Sequence, residues 1–334
     1  MRNIIILGIL LLVLGGAAYT IKVKGDKKAQ TLVAADRGFT VKSMDDVRRV
    51  VIKHVKMPPF VFDKNNGEWT MDYKYKADKY IMANIGNALT KMQLHDIPAK
   101  AATNTIMQSL KLSGIRVDVF TNTLEEPEKT FFIGNDTKEG VGTYMLLEGD
   151  PQPYVMYLPG LGGGLRARFE HPGEDYRDKS IYTILPSDIQ SITLEYPKNT
   201  SSSFIIRNEN PVTILPLDNN QPKLERPINQ KLAKAYFGYF ESIGAEGFAN
   251  KFEQADSIIL KVPYAKLTIQ LKDGNSITHD YYSYDDIMDK TNKARRPEDI
   301  SEISRFFVHG KDDDYFAQIR VVGNFFLGYR QFFE

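Results

Sequence analysis

Residues 46–54, DVRRVVIKH, and residues 188–196, DIQSITLEY, decide the predicted fold. Each stretch begins with an aspartate and continues as an apolar run rich in β-branched residues, which is typical of a β-strand. In both places a second strand-like segment follows, and then a segment with apolar residues at helical spacing. The repeated order favours a tandem duplication, and the alternative is coincidence, because meanders followed by a helix are common.

The segments around these two stretches extend the pattern. Ala77–Met92 and Pro98–Leu110 predict two helices in the first half, and Ile228–Ile243 predicts the equivalent of the first of them in the second half. Asp273, Gly274 and Asn275 indicate a hairpin between two further strands. Because the strands cluster and do not alternate singly with helices, we expect largely antiparallel sheets.

Composition excludes several classes of function. The chain has 334 residues and a formal net charge of +1, with 43 basic and 42 acidic side chains. No excess of positive charge is present to neutralise a phosphate backbone, so nucleic acid is not an expected partner. The chain contains no cysteine, which excludes disulfides, thiolate metal sites and a cysteine nucleophile. We expect no cofactor.

An almost unbroken apolar run extends from Ile4 to Ile21, with Arg2 before it and lysines at 22, 24, 27 and 28 after it. This length just spans a hydrocarbon core as a helix, so the run predicts an uncleaved membrane anchor. The small residues Gly15–Ala18 leave a cleavable signal peptide as the alternative. The lysines favour a cytoplasmic position for the following domain, although a large domain can be translocated regardless of charge.

The predicted domain organisation follows from these segments. It consists of a transmembrane anchor over 1–22, a linker over 23–40, a first module over 41–183 and a second over 184–334. The predicted fold class is α+β, with an N-terminal transmembrane helix followed by two similar modules of mostly antiparallel sheet with packed helices.

Three segments of the first half carry a family resemblance: FIGNDTKEGVGTYMLLE at 132–148, PYVMYLPG at 153–160 and YRDKSIY at 176–182. The junction Tyr75–Ala77 and the strand end Glu195–Pro197 add to it. With these motifs the chain resembles the domain-of-unknown-function 4340 family, well over about residues 31–210 and loosely elsewhere. It departs from the common pattern at Tyr176, where the family frequently has tryptophan.

The resemblance implies a location and a partner but no reaction. Members resemble this chain in having an N-terminal membrane segment, and a related domain occurs in auxiliary subunits of gliding-motility ABC transporters. The resemblance therefore implies a single-pass protein of the inner membrane, with its soluble domain in the periplasm. The expected partners are the membrane itself, through the N-terminal helix, and a protein of the envelope.

A glycine-rich segment followed by arginines, PGLGGGLRAR at 159–168, is the strongest candidate binding site. We call residues 160–168 the Gly/Arg loop. Backbone N–H groups beside guanidinium groups can bind a phosphate or carboxylate, although no Walker lysine follows at the required spacing. A flexible hairpin or crossover loop is the alternative. The candidate binding residues are Gly162, Gly163, Gly164, Arg166, Arg168 and Arg177.

No catalytic or metal motif is recognisable elsewhere in the sequence. His171 lies among acidic residues, and Asp312–Asp314 is an acidic run, but both patterns fit solvated loops and neither has the spacing of a metal site. The sequence thus favours a non-enzymatic, membrane-anchored envelope protein, an accessory or scaffold subunit that docks a transporter or assembly complex. The alternative is a periplasmic domain that binds a ligand or anion with the Gly/Arg loop, and an enzyme is the third possibility.

Overall fold

The described chain divides by its internal contacts into two units, the first ending at Asp178 and the second beginning at Lys179. The structure is a computed structural model that describes residues 38–160, 162–171, 173–218, 223–291 and 293–333. The sequence prediction places the boundary between modules at residues 183 and 184. The predicted anchor and nearly all of the predicted linker lie outside the described residues.

The first unit is built on a nine-stranded sheet in which every neighbouring pair of strands is antiparallel. Its strands are β1 (Arg49–Lys53), β2 (Phe60–Asn65), β3 (Glu68–Met71), β4 (Tyr75–Lys76), β5 (Gln93–Asp96), β6 (Ile115–Phe120), β7 (Lys129–Asp136), β8 (Thr143–Leu147) and β9 (Tyr154–Tyr157). They lie in the order β4-β3-β2-β1-β6-β7-β8-β9-β5.

Strand β6 shows why these segments form a sheet with one buried face. Ile115, Val117 and Val119 are buried, and the residues between them, Arg116 and Asp118, are partly exposed and form an ion pair of 3.0 Å. This alternation of period two matches the pleat of a strand that packs one face on a core. Burying one such aliphatic side chain contributes about 1.5–3 kcal/mol, which fixes the face that points inward.

Two helices complete the first unit, α1 (Lys79–Lys91) and α2 (Lys100–Ser113). Helix α1 begins where it does because the Asp78 carboxylate accepts hydrogen bonds from the backbone N–H groups of Tyr80 and Ile81. Its inward face carries Met82, Ile85, Gly86, Ala88 and Leu89. The opposite face of α1 remains exposed.

The second unit contains an eight-stranded sheet and a two-stranded one, also antiparallel throughout. Its strands are β10 (Ser180–Tyr182), β11 (Ile189–Glu195), β12 (Phe204–Arg207), β13 (Thr213–Pro216), β14 (Ile243–Gly244), β15 (Gly247–Phe248), β16 (Ala265–Leu271), β17 (Ser276–Ser283), β18 (Arg305–His309) and β19 (Asp314–Gln318). Its helices are α3 (Gln230–Tyr236), α4 (Ala255–Ile258), α5 (Tyr284–Met288) and α6 (Ile319–Val322). Strands β10 and β14 form the small sheet.

Short 3₁₀ turns connect the elements of both units. In the first unit they cover Arg166–Arg168 and Gly173–Tyr176. In the second they cover Pro186–Asp188, Thr200–Ser202, Phe237–Phe240, Pro297–Glu302, Gly323–Phe325 and Tyr329–Phe333.

The two large sheets have the same strand order. The second sheet is ordered β13-β12-β11-β16-β17-β18-β19-β15, which corresponds strand for strand to β3-β2-β1-β6-β7-β8-β9-β5 in the first. In both, the strand at the far edge, β5 or β15, comes before the four-strand meander in the chain. A tandem duplication would produce this shared order, and β4 is then an addition at one edge of the first sheet.

Aromatic rings fill the core of the second unit. Phe325 lies at its centre, with ring centroids 4.8 Å from Phe326 and 5.2 Å from Phe240. Further buried rings surround these, namely Tyr182, Tyr196, Phe204, Tyr236, Tyr281, Phe306 and Phe332. Aromatic pairs in such edge-to-face and offset arrangements stabilise a core beyond the area that they bury.

The predicted fold class is wrong in its helical part. The structure is mostly antiparallel sheet with few helices, and the predicted helix Ile228–Ile243 is α-helical only over α3, after which Phe237–Phe240 forms a 3₁₀ turn and Ile243 begins β14. The sequence FGYF explains the early end of the helix, because glycine and aromatic residues have low helix propensity. Burial of Phe237 and Phe240 in the core then favours the tighter turn.

The predicted fold class is also wrong in including an N-terminal transmembrane helix. Across the residues that the structure describes, no helix has the length and apolar character needed to cross a membrane. The apolar run Ile4–Ile21, on which that prediction rested, lies outside them. The fold class supported for the described chain is therefore two units of mostly antiparallel sheet with few helices.

Candidate functional site

The Gly/Arg loop follows β9 and leads into the 3₁₀ turn Arg166–Arg168. Gly160 and Gly163 have φ angles of 75° and 92°, so the backbone turns there in a conformation that favours glycine. Gly162 and Gly163 are exposed, and a Cβ atom at either would meet no other atom within 4 Å. These two predicted binding residues therefore lie at an open surface.

Gly164 is different, because it packs directly against the sheet. A Cβ atom there would lie 1.8 Å from Oδ1 of Asp136, a residue of β7. The same oxygen accepts a hydrogen bond of 2.5 Å from the Thr143 hydroxyl, and that hydroxyl accepts one of 2.7 Å from the Leu165 backbone N–H. Gly164 thus permits a close approach that ties the loop to the sheet, which is a structural role.

Arg166 is already bonded within the chain. Its Nε and Nη2 atoms each donate to Glu170 at 2.8 Å, and Nη1 donates to the Ser113 carbonyl at 3.0 Å. The hydrogen bond from Arg166 is the main cause that lowers the pKa of Glu170. The Nε, Nη1 and Nη2 atoms of this guanidinium group all donate hydrogen bonds within the chain, and its charge is offset by a carboxylate.

The other two predicted arginines lie in different surroundings. Arg168 is half-buried and forms no side-chain hydrogen bond or ion pair within the described parts of the chain. Arg177 is buried, and its guanidinium carbon lies 3.8 Å from the centroid of the Tyr75 ring. That distance is a close cation–π contact, so the Arg177 guanidinium packs on an aromatic face. Of the six predicted residues, Gly162, Gly163 and Arg168 keep an accessible position.

Two histidines meet a buried tyrosine in the first unit, a grouping that the sequence does not reveal. The Tyr176 hydroxyl donates to the Phe169 carbonyl and lies 3.4 Å from Nε2 of His54, and the His171 ring meets the Tyr176 ring edge-on at 5.2 Å. Burial lowers the pKa of His54 and raises the pKa of Tyr176. Both groups are consequently neutral near pH 7. No cluster of metal-ligating side chains is found among the residues with described positions.

A concave surface lies on the first unit between α1 and the β2–β3 hairpin. The cavity has a volume of about 800 Å³. We call it the Trp69 groove. It is lined by Lys42, Ser43, Met44, Gly67, Glu68, Trp69, Lys76, Ala77, Lys79, Met82, Ala83, Gly86, Asn87, Thr90 and Lys91.

The floor of the Trp69 groove is apolar. Trp69, the single tryptophan of the chain, is half-buried and packs at the edge of the core of the first unit. Met44 packs so closely on α1 that a Cβ atom at Gly86 would lie 3.0 Å from its Cγ. The groove therefore presents an aromatic ring and a methionine, two residue types that are enriched at protein interfaces.

The rim of the Trp69 groove is basic. Four lysines line it against one carboxylate, Glu68, which pairs with Lys76 at 3.1 Å. Lys42, Lys79 and Lys91 form no ion pair with any carboxylate of the described chain, and Lys91 donates instead to the Asn87 side-chain oxygen at 3.0 Å. Because the whole chain is nearly neutral, this local excess of positive charge distinguishes the groove from the average surface.

Comparison with known protein families identifies the family of this chain. The model of a domain of unknown function (DUF4340) matches residues 68–261, more than half of the chain. The chain belongs to this family, and the resemblance inferred from its motifs is confirmed. Membership of this family does not assign a catalytic activity to the chain. No curated protein and no solved structure matches the chain.

Proposed function

We propose that this protein is a non-enzymatic accessory or scaffold protein of the cell envelope that holds a partner protein in the Trp69 groove. The observation that carries the proposal is the combination of an apolar floor and a basic rim in one cavity of about 800 Å³. Grooves of this kind bind segments of other proteins, with apolar side chains on the floor and complementary charges along the rim.

The occupant that fits is an acidic amphipathic segment of the partner, most simply a helix. Its apolar face would cover Trp69 and Met44, and its carboxylates would face Lys42, Lys79 and Lys91. Each exposed ion pair contributes only about 0.2–1 kcal/mol, so the apolar contact supplies most of the affinity. The lysines supply orientation and discriminate against basic partners.

A non-enzymatic role accords with the chemistry of the groove. Its lining includes Ser43 and Thr90 as hydroxyl groups but has no histidine, and its one carboxylate is paired with a lysine. A hydroxyl nucleophile needs an adjacent base, and acid–base catalysis needs groups with suitable pKa values. The residues of the groove are suited to binding.

The envelope location is a part of this proposal that rests on sequence. It is supported by the resemblance to the DUF4340 family, which implies an envelope role, and by the apolar residues 4–21. The alternative function, an anion site in the Gly/Arg loop, has weaker support because Arg166 is bonded to Glu170.

The test is co-purification from detergent-solubilised membranes with a matched pair of variants. Lys79→Glu combined with Lys91→Glu reverses two charges of the rim. These lysines lie at opposite ends of α1, so the effects of the changes on the helix dipole oppose each other. The control, Lys231→Glu combined with Lys234→Glu, reverses two exposed charges on α3 in the second unit.

We expect the groove variant to lose its partner and the control variant to retain it. Recovery should fall about tenfold or more, because two attractive contacts become repulsive. Circular dichroism checks that both variants keep the fold. Equal recovery with the two variants would reject the Trp69 groove as the docking site.

A further inference from the structure

The connections at the two ends of the first large sheet differ in character. The register of β1 with β6 pairs Lys53 with Arg116, so the β1–β2 connection lies at the end of the sheet where β6 begins. The β7–β8 hairpin lies at the same end, because Ile115 pairs with Ile133. Helix α2 also finishes there, directly before β6. We call residues 54–59, 111–114 and 137–142 the Leu112 end.

The Leu112 end carries positive charge, and the opposite end carries negative charge. The three segments of the Leu112 end contain three lysines and one glutamate. The β6–β7 and β8–β9 connections at the opposite end, residues 121–128 and 148–153, contain five carboxylates and no basic residue. Beside the Leu112 end, the chain has no acidic residue over 47–62 or over 97–117. An anionic surface would therefore attract this end of the sheet and repel the other.

Exposed aliphatic side chains are concentrated at the Leu112 end. Leu112 itself is 76% exposed, and Val55, Met57 and Val141 are also exposed. These residues belong to three different connections, so the apolar surface results from the fold and not from one sequence run. Apolar side chains combined with positive charge are typical of surfaces that bind the interface of an anionic bilayer.

Two of the lysines adjoin these aliphatic side chains directly. Lys56 lies between Val55 and Met57, and Lys111 precedes Leu112. Both lysines are exposed and form no ion pair within the described parts of the chain. A lysine can keep its amine among lipid phosphate groups while its methylene stem and the neighbouring aliphatic side chain enter the apolar layer.

Contacts behind the Leu112 end hold its segments in place. The carbonyl of Ser113, at the end of α2, accepts a hydrogen bond of 3.0 Å from Nη1 of Arg166. Phe60, which follows the β1–β2 connection, is buried with its ring centroid 5.1 Å from that of Tyr176. These contacts fix where the connections leave the sheet, so binding through the exposed side chains requires little additional ordering of the backbone.

The second unit repeats this arrangement at the corresponding end of its large sheet. Leu260 and Val262 precede β16 as Leu112 precedes β6, and Leu260 is 86% exposed. Lys261 lies between them. Acidic residues at 253 and 256 precede this segment, so its charge is less one-sided than that of the Leu112 end. The first unit therefore carries the inference.

We infer that the Leu112 end lies on an anionic lipid bilayer, with Leu112, Val55 and Met57 in the interfacial layer and Lys56 and Lys111 against lipid phosphate groups. A lipid surface fits better than a protein, because a fluid interface accommodates side chains from separate connections without a matching pocket. The inference rests on the proposed envelope location, but not on the Trp69 groove or on a partner held there.

Fluorescence quenching in vesicles tests the inference with the full chain, which has no cysteine of its own. Leu112→Cys carries an environment-sensitive fluorophore, and the vesicles contain a spin-labelled quencher lipid in both leaflets. They consist of phosphatidylcholine alone or of phosphatidylcholine mixed with the anionic phosphatidylglycerol. Leu124→Cys is the matched control, because Leu124 is an exposed leucine at the opposite end. Both variants contain the apolar residues 4–21, which therefore cannot cause a difference between them.

We expect quenching at position 112 to rise about twofold or more from pure phosphatidylcholine to the mixed vesicles, because the anionic lipid attracts the adjoining lysines. Quenching at position 124 should not rise. Adding Lys56→Glu and Lys111→Glu should return the quenching at position 112 to its level in pure phosphatidylcholine. Circular dichroism checks that the variants keep the fold.

Equal quenching at positions 112 and 124 in the mixed vesicles would overturn the inference, as would quenching at position 112 that persists after the two charge reversals. Because the vesicles contain no other protein, this result does not depend on the docking proposal. A photo-activated cross-linker at position 112 in native membranes should react with lipid. A cross-link to one protein, without quenching in the vesicles, would assign the Leu112 end to a protein partner and reject the lipid surface.

Discussion

The two units share a strand order but use the space beside their sheets in opposite ways. In the first unit, α1 extends over 13 residues and leaves the Trp69 groove open beside it. In the second unit, α3 has only 7 residues, and buried rings such as Phe240 and Phe325 pack where it ends. The difference teaches that one topology can support either an accessible binding face or a closed aromatic core, depending on the side chains that follow the first helix.

The largest expected effect is a difference in lost stability between a variant of the aromatic core of the second unit and a variant of the Trp69 groove. Phe325→Ala should lower the free energy of unfolding by about 3–5 kcal/mol, because it empties the centre of a fully buried aromatic cluster. Trp69→Ala should cost less than half as much, because Trp69 is half-buried at the edge of its core. Urea unfolding of both variants measures this difference. Equal losses of unfolding free energy would contradict the distinction between the closed aromatic core of the second unit and the accessible groove of the first.

The next effect concerns a buried histidine in the second unit. Nδ1 of His279 lies 2.9 Å from the Tyr182 hydroxyl, and burial, together with the charge of His309, lowers the pKa of His279 to about 4. In the unfolded chain this pKa is near the ordinary 6.5, so between pH 6.5 and pH 4 the unfolded state binds the proton more tightly. This contribution to stability is therefore complete above pH 6.5 and is lost as the pH falls towards 4.

The expected loss from His279 is roughly 3 kcal/mol over that pH range, at about 1.4 kcal/mol for each pKa unit. His279→Gln, which keeps a polar partner for Tyr182, should remove this part of the pH dependence. Urea unfolding at pH 7 and pH 4.5 measures it. If the variant and the wild type lose the same stability between these two values, His279 is not the cause.

A smaller effect is expected in the Gly/Arg loop. Gly164→Ala should destabilise the first unit by about 1–3 kcal/mol, because the new methyl group would collide with the Asp136 carboxylate. Gly162→Ala is the matched control, since a Cβ atom there meets nothing within 4 Å. Thermal unfolding of the two variants compares them. A Gly164→Ala protein as stable as the control would show that the loop is not anchored through this contact.

Local pattern was enough to predict many of the strands. The hairpin predicted at Asp273, Gly274 and Asn275 is present and joins β16 to β17, because these turn residues follow a strand of alternating apolar residues. Short edge strands such as β5, with the sequence QLHD, carry no such alternation and could not be predicted. The end of α3 was missed because packing of the rings that follow it overrides helical spacing.

The candidate sites depend on contacts between distant parts of the chain, which spacing cannot reveal. The Trp69 groove unites residues 42–44 with the β2–β3 hairpin and α1, and only the sheet brings them together. The glycines and arginines of the Gly/Arg loop were recognisable by residue type. Their bonds to Asp136 and Glu170 were not, because a sequence motif does not show which of its charges are already neutralised.

The most direct test of the docking proposal uses the absence of cysteine from the chain. A single cysteine introduced by Asn87→Cys, in the lining of the Trp69 groove, carries a photo-activated cross-linker in membranes that contain the partner. Lys272→Cys, at an exposed site in the second unit, is the matched control.

Mass spectrometry then identifies the peptide joined to each position. We predict that the cross-link from position 87 maps to one acidic amphipathic segment of one protein, and that it disappears when Lys79→Glu and Lys91→Glu are added. A cross-link pattern identical to that of position 272, or one that persists unchanged after the two charge reversals, would contradict the proposal that the Trp69 groove holds a partner.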